Sequence, residues 1–326
     1  MKKCLLLLMA VLVFPLSAHA EDLLHALWPQ GFPAFSAADR RHGVANDRAM
    51  PDRREPSFSL PPLPAAAVGT VRRVRLPAGE KAVALTFDVC ELQCAVSGFD
   101  RDVVRALEDY GAHATFFAGG KWMRSHPERT MQLMASANFE LGNHAWTHAN
   151  FGIIDMKMAA EQVRWTQALY ESLRAELGRR AEAAGCAGLM KAVPPGLAWF
   201  RLPYGRCSPE SLRLLNRMGL RVIQWDVVAD HHSSDNAAPD AARRVVRAVR
   251  PGSIILLHAN LVPRNTAVLV RNLLSMLAGQ GYRFVTVSEL LSMGEPELAD
   301  DGYFVRPGDN RSLDRSFGTY GTGENQ

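Results

Sequence analysis

The run "LTFDVC" at residues 85–90 carries β-forming residues up to Asp88, the pattern of a buried strand that delivers a carboxylate to a site. In "GNHAWTH", His144 and His148 stand at i and i+4, a spacing that one helical turn converts into two imidazoles facing a single metal ion. Ala145 occupies the place where a helical zinc protease has its glutamate, so that class is excluded. Arg201 in "FRLPYG" and His258 in "IILLHAN" each end a short apolar run. A buried arginine there has Asp88 as its natural partner, and a histidine held by Asp226 or Asp230 of "WDVVAD" becomes an imidazolium fit to act as general acid. A metal pair, a base, its orienting cation and an acid are the parts of a water-activating hydrolase.

Something must bring these groups together. Seven short β-rich runs, "AVALTF", "HATFF", "FELG", "AWFRL", "RVIQWDV", "SIILL" and "YRFVTV", alternate with amphipathic stretches. Of the latter, "RDVVRALEDYG" is a helix with a terminal glycine, "CSPESLRLLNRMG" has Ser208 as N-cap and Pro209 in its first turn, and 158–185 is a longer helix. Alternating strand and helix predicts a parallel sheet, open or closed into a barrel. Asp88 follows the first strand, the two histidines the third, Arg201 the fourth, Asp226 and Asp230 the fifth and His258 the sixth. The carboxyl-end rim of a parallel barrel is where such sites assemble.

The flanks read differently. Lys2 and Lys3, an apolar run from Leu5 to Leu16 and the small-residue ending "SAHA" predict a signal peptide over 1–20, cut near Ala20, and hence a periplasmic or secreted protein. The apolar run is well short of the ~20 residues that span a bilayer, so no transmembrane segment is expected in the mature chain. Residues 21–75 read as a partly irregular N-terminal extension, 76–293 as the domain, and 294–326 as a loosely held tail. With 37 basic and 33 acidic side chains, including the two leader lysines, the balance gives no ground for nucleic-acid binding. Export to an oxidising compartment makes Cys90, Cys94, Cys186 and Cys207 candidates for disulfides ahead of metal ligation.

The segment from about Lys81 to Met293 resembles the NodB-type polysaccharide deacetylases, with the motifs in that family's order. "LTFDVC" is similar to its TFDD motif, "LGNHAWTH" to its HxxxH motif, "FRLPYG" to RxPY, "WDVVADHH" to a degenerate DxxDW, and "IILLH" to LxH. The resemblance implies a distorted (β/α)7 barrel that hydrolyses N-acetyl, sometimes O-acetyl, groups on a polysaccharide with Zn²⁺ or another divalent metal. By position it implies Asp88 as base oriented by Arg201, His144 and His148 as metal ligands, and His258 as acid to the leaving amine. It further implies Pro203 and Tyr204 as a substrate-binding turn whose Tyr204 amide holds the oxyanion, and Leu257 as part of the acetyl pocket.

Two positions depart from the family. Val89 replaces a metal-binding aspartate, and His231 stands where tryptophan is usual. The vacancy left at position 89 can be met by Asp88 itself as a metal ligand, by Glu91 or Asp100 from the following loop, by water, or by loss of the metal; survival of both histidines favours a retained metal. Asp100 also precedes a helix and is a natural N-cap. Since the ends of the first and third motifs meet around Asp88 and Arg201, a Cys90–Cys207 disulfide is expected, leaving Cys94 with Cys186. Besides a glycan deacetylase, the sequence allows a metal-independent hydrolase of another amide or ester, and a carbohydrate-binding pseudoenzyme of envelope assembly. It does not select the glycan or the oligomeric state.

Overall fold

A computed structural model describes residues 22–32, 36–40, 43–44, 49–230, 236–238 and 240–319. The expected signal peptide and His231 lie outside them. The strands of the main sheet are β1 (Thr70–Arg75), β2 (Ala82–Val89), β3 (Ala114–Ala118), β4 (Phe139–Asn143), β5 (Trp199–Phe200), β6 (Arg221–Ile223), β7 (Val227–Val228), β8 (Ile254–His258), β9 (Arg283–Phe284) and β10 (Glu295–Ala299). Their order is β10-β1-β6-β5-β4-β3-β2-β8-β7, with β9 beside β2. Every pairing is parallel except β10 with β1. The sheet curls until β1 approaches β8, where only the isolated bridge Arg73–Ser253 and a bond from Val74 N to the Gly252 carbonyl at 3.0 Å join them. The result is the expected distorted barrel.

Each of the seven strand runs is found, although "RVIQWDV" divides into β6 and β7 and "YRFVTV" pairs over two residues only. The α-helices of six residues or more are α1 (Arg101–Asp109), α2 (Gly120–Ser125), α3 (Pro127–Ala135), α4 (Met156–Ala183), α5 (Pro209–Arg217), α6 (Ala241–Ala248), α7 (Thr266–Gly279) and α8 (Val287–Ser292). Ser208 caps α5 through a capping box, with Pro209 at its first position, as the sequence predicts.

Alternation along β2 and β8 sorts side chains between two cores. Val83, Leu85, Phe87 and Val89, with Ile255 and Leu257, join α1 and α7 in the helix-side core. Ala82, Ala84, Ile254 and Leu256 join Phe117, Ile223 and Trp225 in the barrel interior. Thr86, Asp88 and His258 therefore continue the inner face toward the rim.

The sheet reaches beyond the domain limits read from sequence. β1 lies in the stretch read as extension and β10 in the stretch read as tail, and the two pair with one another. The tail is also not loosely held as far as it is described: Arg72 donates to the carbonyls of Tyr303 and Phe304, Trp225 Nε1 to Phe304 O at 3.0 Å, and Arg206 grips Asp314 through two bonds of 2.8 and 2.7 Å. Its bonds run to single buried polar groups, so it has no apolar period to read. The extension from residue 49 is irregular and wraps α4, where Glu171 accepts from Ser57 N and Phe58 N.

Candidate active site

Asp88 sits at the inner rim end of β2 with 5 % of its surface exposed. Its Oδ1 accepts from Arg201 Nη1 at 3.0 Å, and its Oδ2 lies 3.4 Å from His144 Nε2. Arg201 is fully buried at the end of β5 and makes three further bonds: Nη1 also donates to Thr86 Oγ1, Nε to Ile223 O and Nη2 to Gln224 O. Its guanidinium centre is 4.0 Å from the Phe117 ring centroid, so the cation is walled by the barrel core and fixed in one pose.

The two histidines converge, but not by a helical turn. After β4 the chain is irregular, with Ala145 and His148 in the left-handed region at φ 64° and 57°. Asn143 Oδ1 accepts from Ala145 N, and Gln162 Oε1 of α4 accepts from Trp146 N and Thr147 N, which replaces the hydrogen bonds a helix would have made. The rings lie edge to face with centroids 4.8 Å apart. His144 Nδ1–H donates to Arg201 O at 2.9 Å, which leaves Nε2 as the lone-pair nitrogen. Burial lowers the pKa of His144 to about 3 and that of His148 well below the usual value, so both are neutral. His144 Nε2 and His148 Nδ1 are buried without a hydrogen-bond partner, an arrangement that costs energy unless a cation fills it. The donor set therefore fits a divalent transition metal.

His258 lies opposite Asp88 in the β2–β8 register and keeps 28 % of its side chain open to solvent. Asp230, fully buried, accepts from His258 Nδ1 at 3.0 Å and from His258 N at 2.7 Å, and also from Thr266 Oγ1. Burial alone would lower the histidine's pKa, but Asp230, aided by Asp88, outweighs it and the net shift is upward.

Asp226 is not part of this group. Its carboxylate accepts from Ser253 Oγ and Ile254 N at the opposite end of β8 from His258, so of the two candidate partners only Asp230 reaches the histidine. Leu257 is fully buried in the helix-side core, on the other pleat from His258, and does not line the site. Pro203 and Tyr204 form the turn after β5, with Tyr204 left-handed at φ 57° and its ring edge-on to His148 at 4.3 Å. Asn310 Nδ2 of the tail donates to the Tyr204 carbonyl at 2.9 Å. A cleft of about 840 Å³ opens on the far side of Tyr204, toward Phe304 and Leu313, without Asp88, His144 or His258 in its wall.

Of the residues expected to replace the aspartate at position 89, Asp88 faces His144, and the two from the following loop are engaged elsewhere. Glu91 accepts from Ser97 N and Ser125 Oγ, and Asp100 caps α1 through Asp102 N and Val103 N. The expected disulfides do not form: Cys90, Cys94, Cys186 and Cys207 are free thiols. Cys207 lies against Asp301, and Cys90 has joined the histidines, with a ligand atom of each of the three residues within 4.8 Å of the others. Burial first, then Asp88 and Glu91, push the Cys90 thiol pKa well up. The signal that could have found it is parity: Cys90 stands two residues after Asp88 at the end of the strand run, where the alternation of side chains, if continued, puts it on the Asp88 side.

Val89 itself is fully buried in the helix-side core. Val89→Asp is therefore expected to lower stability by about 1–3 kcal/mol without raising metal affinity. Urea unfolding and Zn²⁺ titration against a competing chelator check both; a clear gain in affinity would show that position 89 can turn to the rim.

The rim of the barrel thus gathers an acid–arginine pair, a histidine pair and an acid–histidine pair, the chemical parts needed to activate a water and protonate a leaving group. Residues 75–223 match the family described as polysaccharide deacetylase. It is 29% identical over 211 residues to the peptidoglycan-N-acetylmuramic acid deacetylase PdaC of Bacillus subtilis, covering 65% of this chain but only 39% of that protein. A solved structure of the B. subtilis peptidoglycan deacetylase superposes with a TM-score of 0.52 at 26% identity, over 67% of this chain and 93% of that one. The chitooligosaccharide deacetylase of Azorhizobium caulinodans is 29% identical over 170 residues, 51% of this chain and 70% of that protein. The fold is also shared with a CE4 family pseudoenzyme from Bacillus anthracis, at a TM-score of 0.54 and 23% identity over 71% of this chain and 72% of that one.

Proposed function

We propose that this chain is an exported, metal-dependent hydrolase that removes acetyl groups from an N-acetylated glycan in the periplasm or outside the cell. The observation that carries the reading is the juxtaposition, across one β2–β8 register pair, of an arginine-bound Asp88 and an aspartate-bound His258 beside two histidines with unmatched buried nitrogens. His144 and His148 would hold the metal, most simply Zn²⁺, which when bound polarises the acetyl carbonyl and acidifies water. Asp88 takes the proton of the attacking water, and Arg201 holds and aims its carboxylate. As the carbon–oxygen bond forms, the amide of the Tyr204 turn donates to the developing oxyanion. His258 then passes its proton to the nitrogen as the carbon–nitrogen bond breaks, so acetate and a free amine depart. The relatives named for peptidoglycan and chitooligosaccharide substrates support an N-acetylated sugar.

Val89 favours a second reading, in which the metal is not bound and the fold hydrolyses another bond or only binds carbohydrate. One experiment separates the two. The double variant His144→Ala/His148→Ala is expected to lose both divalent-metal content, read by elemental analysis, and acetate release from a panel of N-acetylated glycans. Unchanged metal content or unchanged turnover overturns the metal-dependent reading.

A further inference from the structure

The position that Val89 fails to fill points to Cys90. We propose that the Cys90 thiolate completes the metal site, giving a Cys-His-His donor set with His144 and His148; this rests on the metal-dependent reading above. Three observations support it independently of any resemblance. β2 ends at Val89, whose side chain lies in the helix-side core, and Cys90 is the next residue along the chain, beside the histidine pair. Cys90 and the two histidines each bring a ligand atom within 4.8 Å of the others, while the two histidine nitrogens are buried with no partner. Ligands of a tetrahedral zinc ion, at ~2.0–2.3 Å from it, lie roughly 3.3–3.8 Å apart, so a small side-chain closure is enough.

The cysteine is also held in place. Its carbonyl accepts from Ser97 Oγ at 2.9 Å and Asn260 Nδ2 at 3.0 Å, and Lys121 Nζ gathers the carbonyls of Leu92, Gln93 and Ala95 in the loop that follows. A loop so anchored fixes where the sulfur can go. On binding, the S–H proton leaves to solvent and the thiolate bonds the cation, so the set carries one negative charge, as a His-His-Asp set would. What changes is softness: thiolate sulfur shifts preference toward zinc and cobalt and away from magnesium and manganese.

Co²⁺ added to the full chain kept under reductant tests this. The expected result is a thiolate-to-cobalt charge-transfer band in the near ultraviolet that persists in Cys94→Ser and Cys207→Ser and is absent from Cys90→Asp and Cys90→Ser. Cys90→Ser is expected to weaken Co²⁺ binding at least roughly tenfold, since even groups one step removed from a metal carry effects of that size. Cys90→Asp should bind Co²⁺ more tightly than Cys90→Ser while lacking the band. Should Cys90→Ser fail to fold, the band in the unaltered chain and its fate in Cys90→Asp still decide. Band-free Co²⁺ binding by the unaltered chain, or a band surviving in Cys90→Asp, overturns the proposal and leaves the histidine site standing. No Co²⁺ binding at all overturns both.

Discussion

Replacing His258 with alanine is expected to lower turnover on an N-acetyl substrate by roughly 10²–10⁴-fold, the scale of a lost general acid, with metal binding unchanged. The loss should be smaller on an acetyl ester, whose leaving alcohol needs protonation less than an amine does. Equal losses on the two substrates would remove the assignment. The Asp230 contact adds a pH signature. Asp230 raises the imidazole pKa above its ordinary 6.5, so the protonated acid persists to higher pH and the alkaline limb of the rate profile is displaced upward. Asp230→Asn removes the charge and should bring that limb down. The same sign governs stability: the pair's contribution is full below about 6.5 and fades as pH rises through the raised value.

The second large effect is expected at Arg201. Its donors satisfy Asp88, Thr86 and two backbone carbonyls inside a wall of Phe117 and Trp225, and no water replaces them without opening the barrel. Arg201→Met should cost about 3–5 kcal/mol, because it leaves the Asp88 carboxylate buried and uncompensated. The double variant Asp88→Asn/Arg201→Met removes the stranded charge, so it should recover much of that loss while staying inactive. Urea denaturation of both variants measures the difference. A single-variant cost under ~1 kcal/mol would mean that Asp88 is solvated, not held by the arginine.

The strand runs are legible because each is short, apolar and separated from the next by a helical stretch, and their carboxyl ends carry the polar residues. Asp88, His144, His148, Arg201, Asp230 and His258 all meet where that order placed them. The histidine turn was misread as helical because i,i+4 spacing is also met by a loop with two left-handed residues, and its anchor, Gln162, lies on a distant helix. Asp226 and Asp230 could not be separated by sequence, since both follow one strand and only the register with β8 tells them apart. Cys90 was assigned by compartment to a disulfide, whereas strand alternation was the better guide. The tail has no apolar period to read beyond its one strand, since it is held by polar contacts such as the Arg206–Asp314 pair and the bonds from Arg72 to the Tyr303 and Phe304 carbonyls.

Those tail contacts couple the C-terminus to the reaction's geometry. Asn310 holds the Tyr204 carbonyl, Asp314 bonds Arg206 two residues on, and Gly302 lies so close that an added Cβ would stand 2.1 Å from Gly205 O. Residues 203–206 and 302–314 must then open as one cooperative unit, with matched hydrogen-exchange protection. A cut near residue 300 would spare every strand and every motif residue, yet release the turn whose Tyr204 amide is proposed to receive the oxyanion. Limited proteolysis there would thus act as an off switch on a barrel that still unfolds cooperatively, and the region needed for function ends well past the residues by which the family is matched.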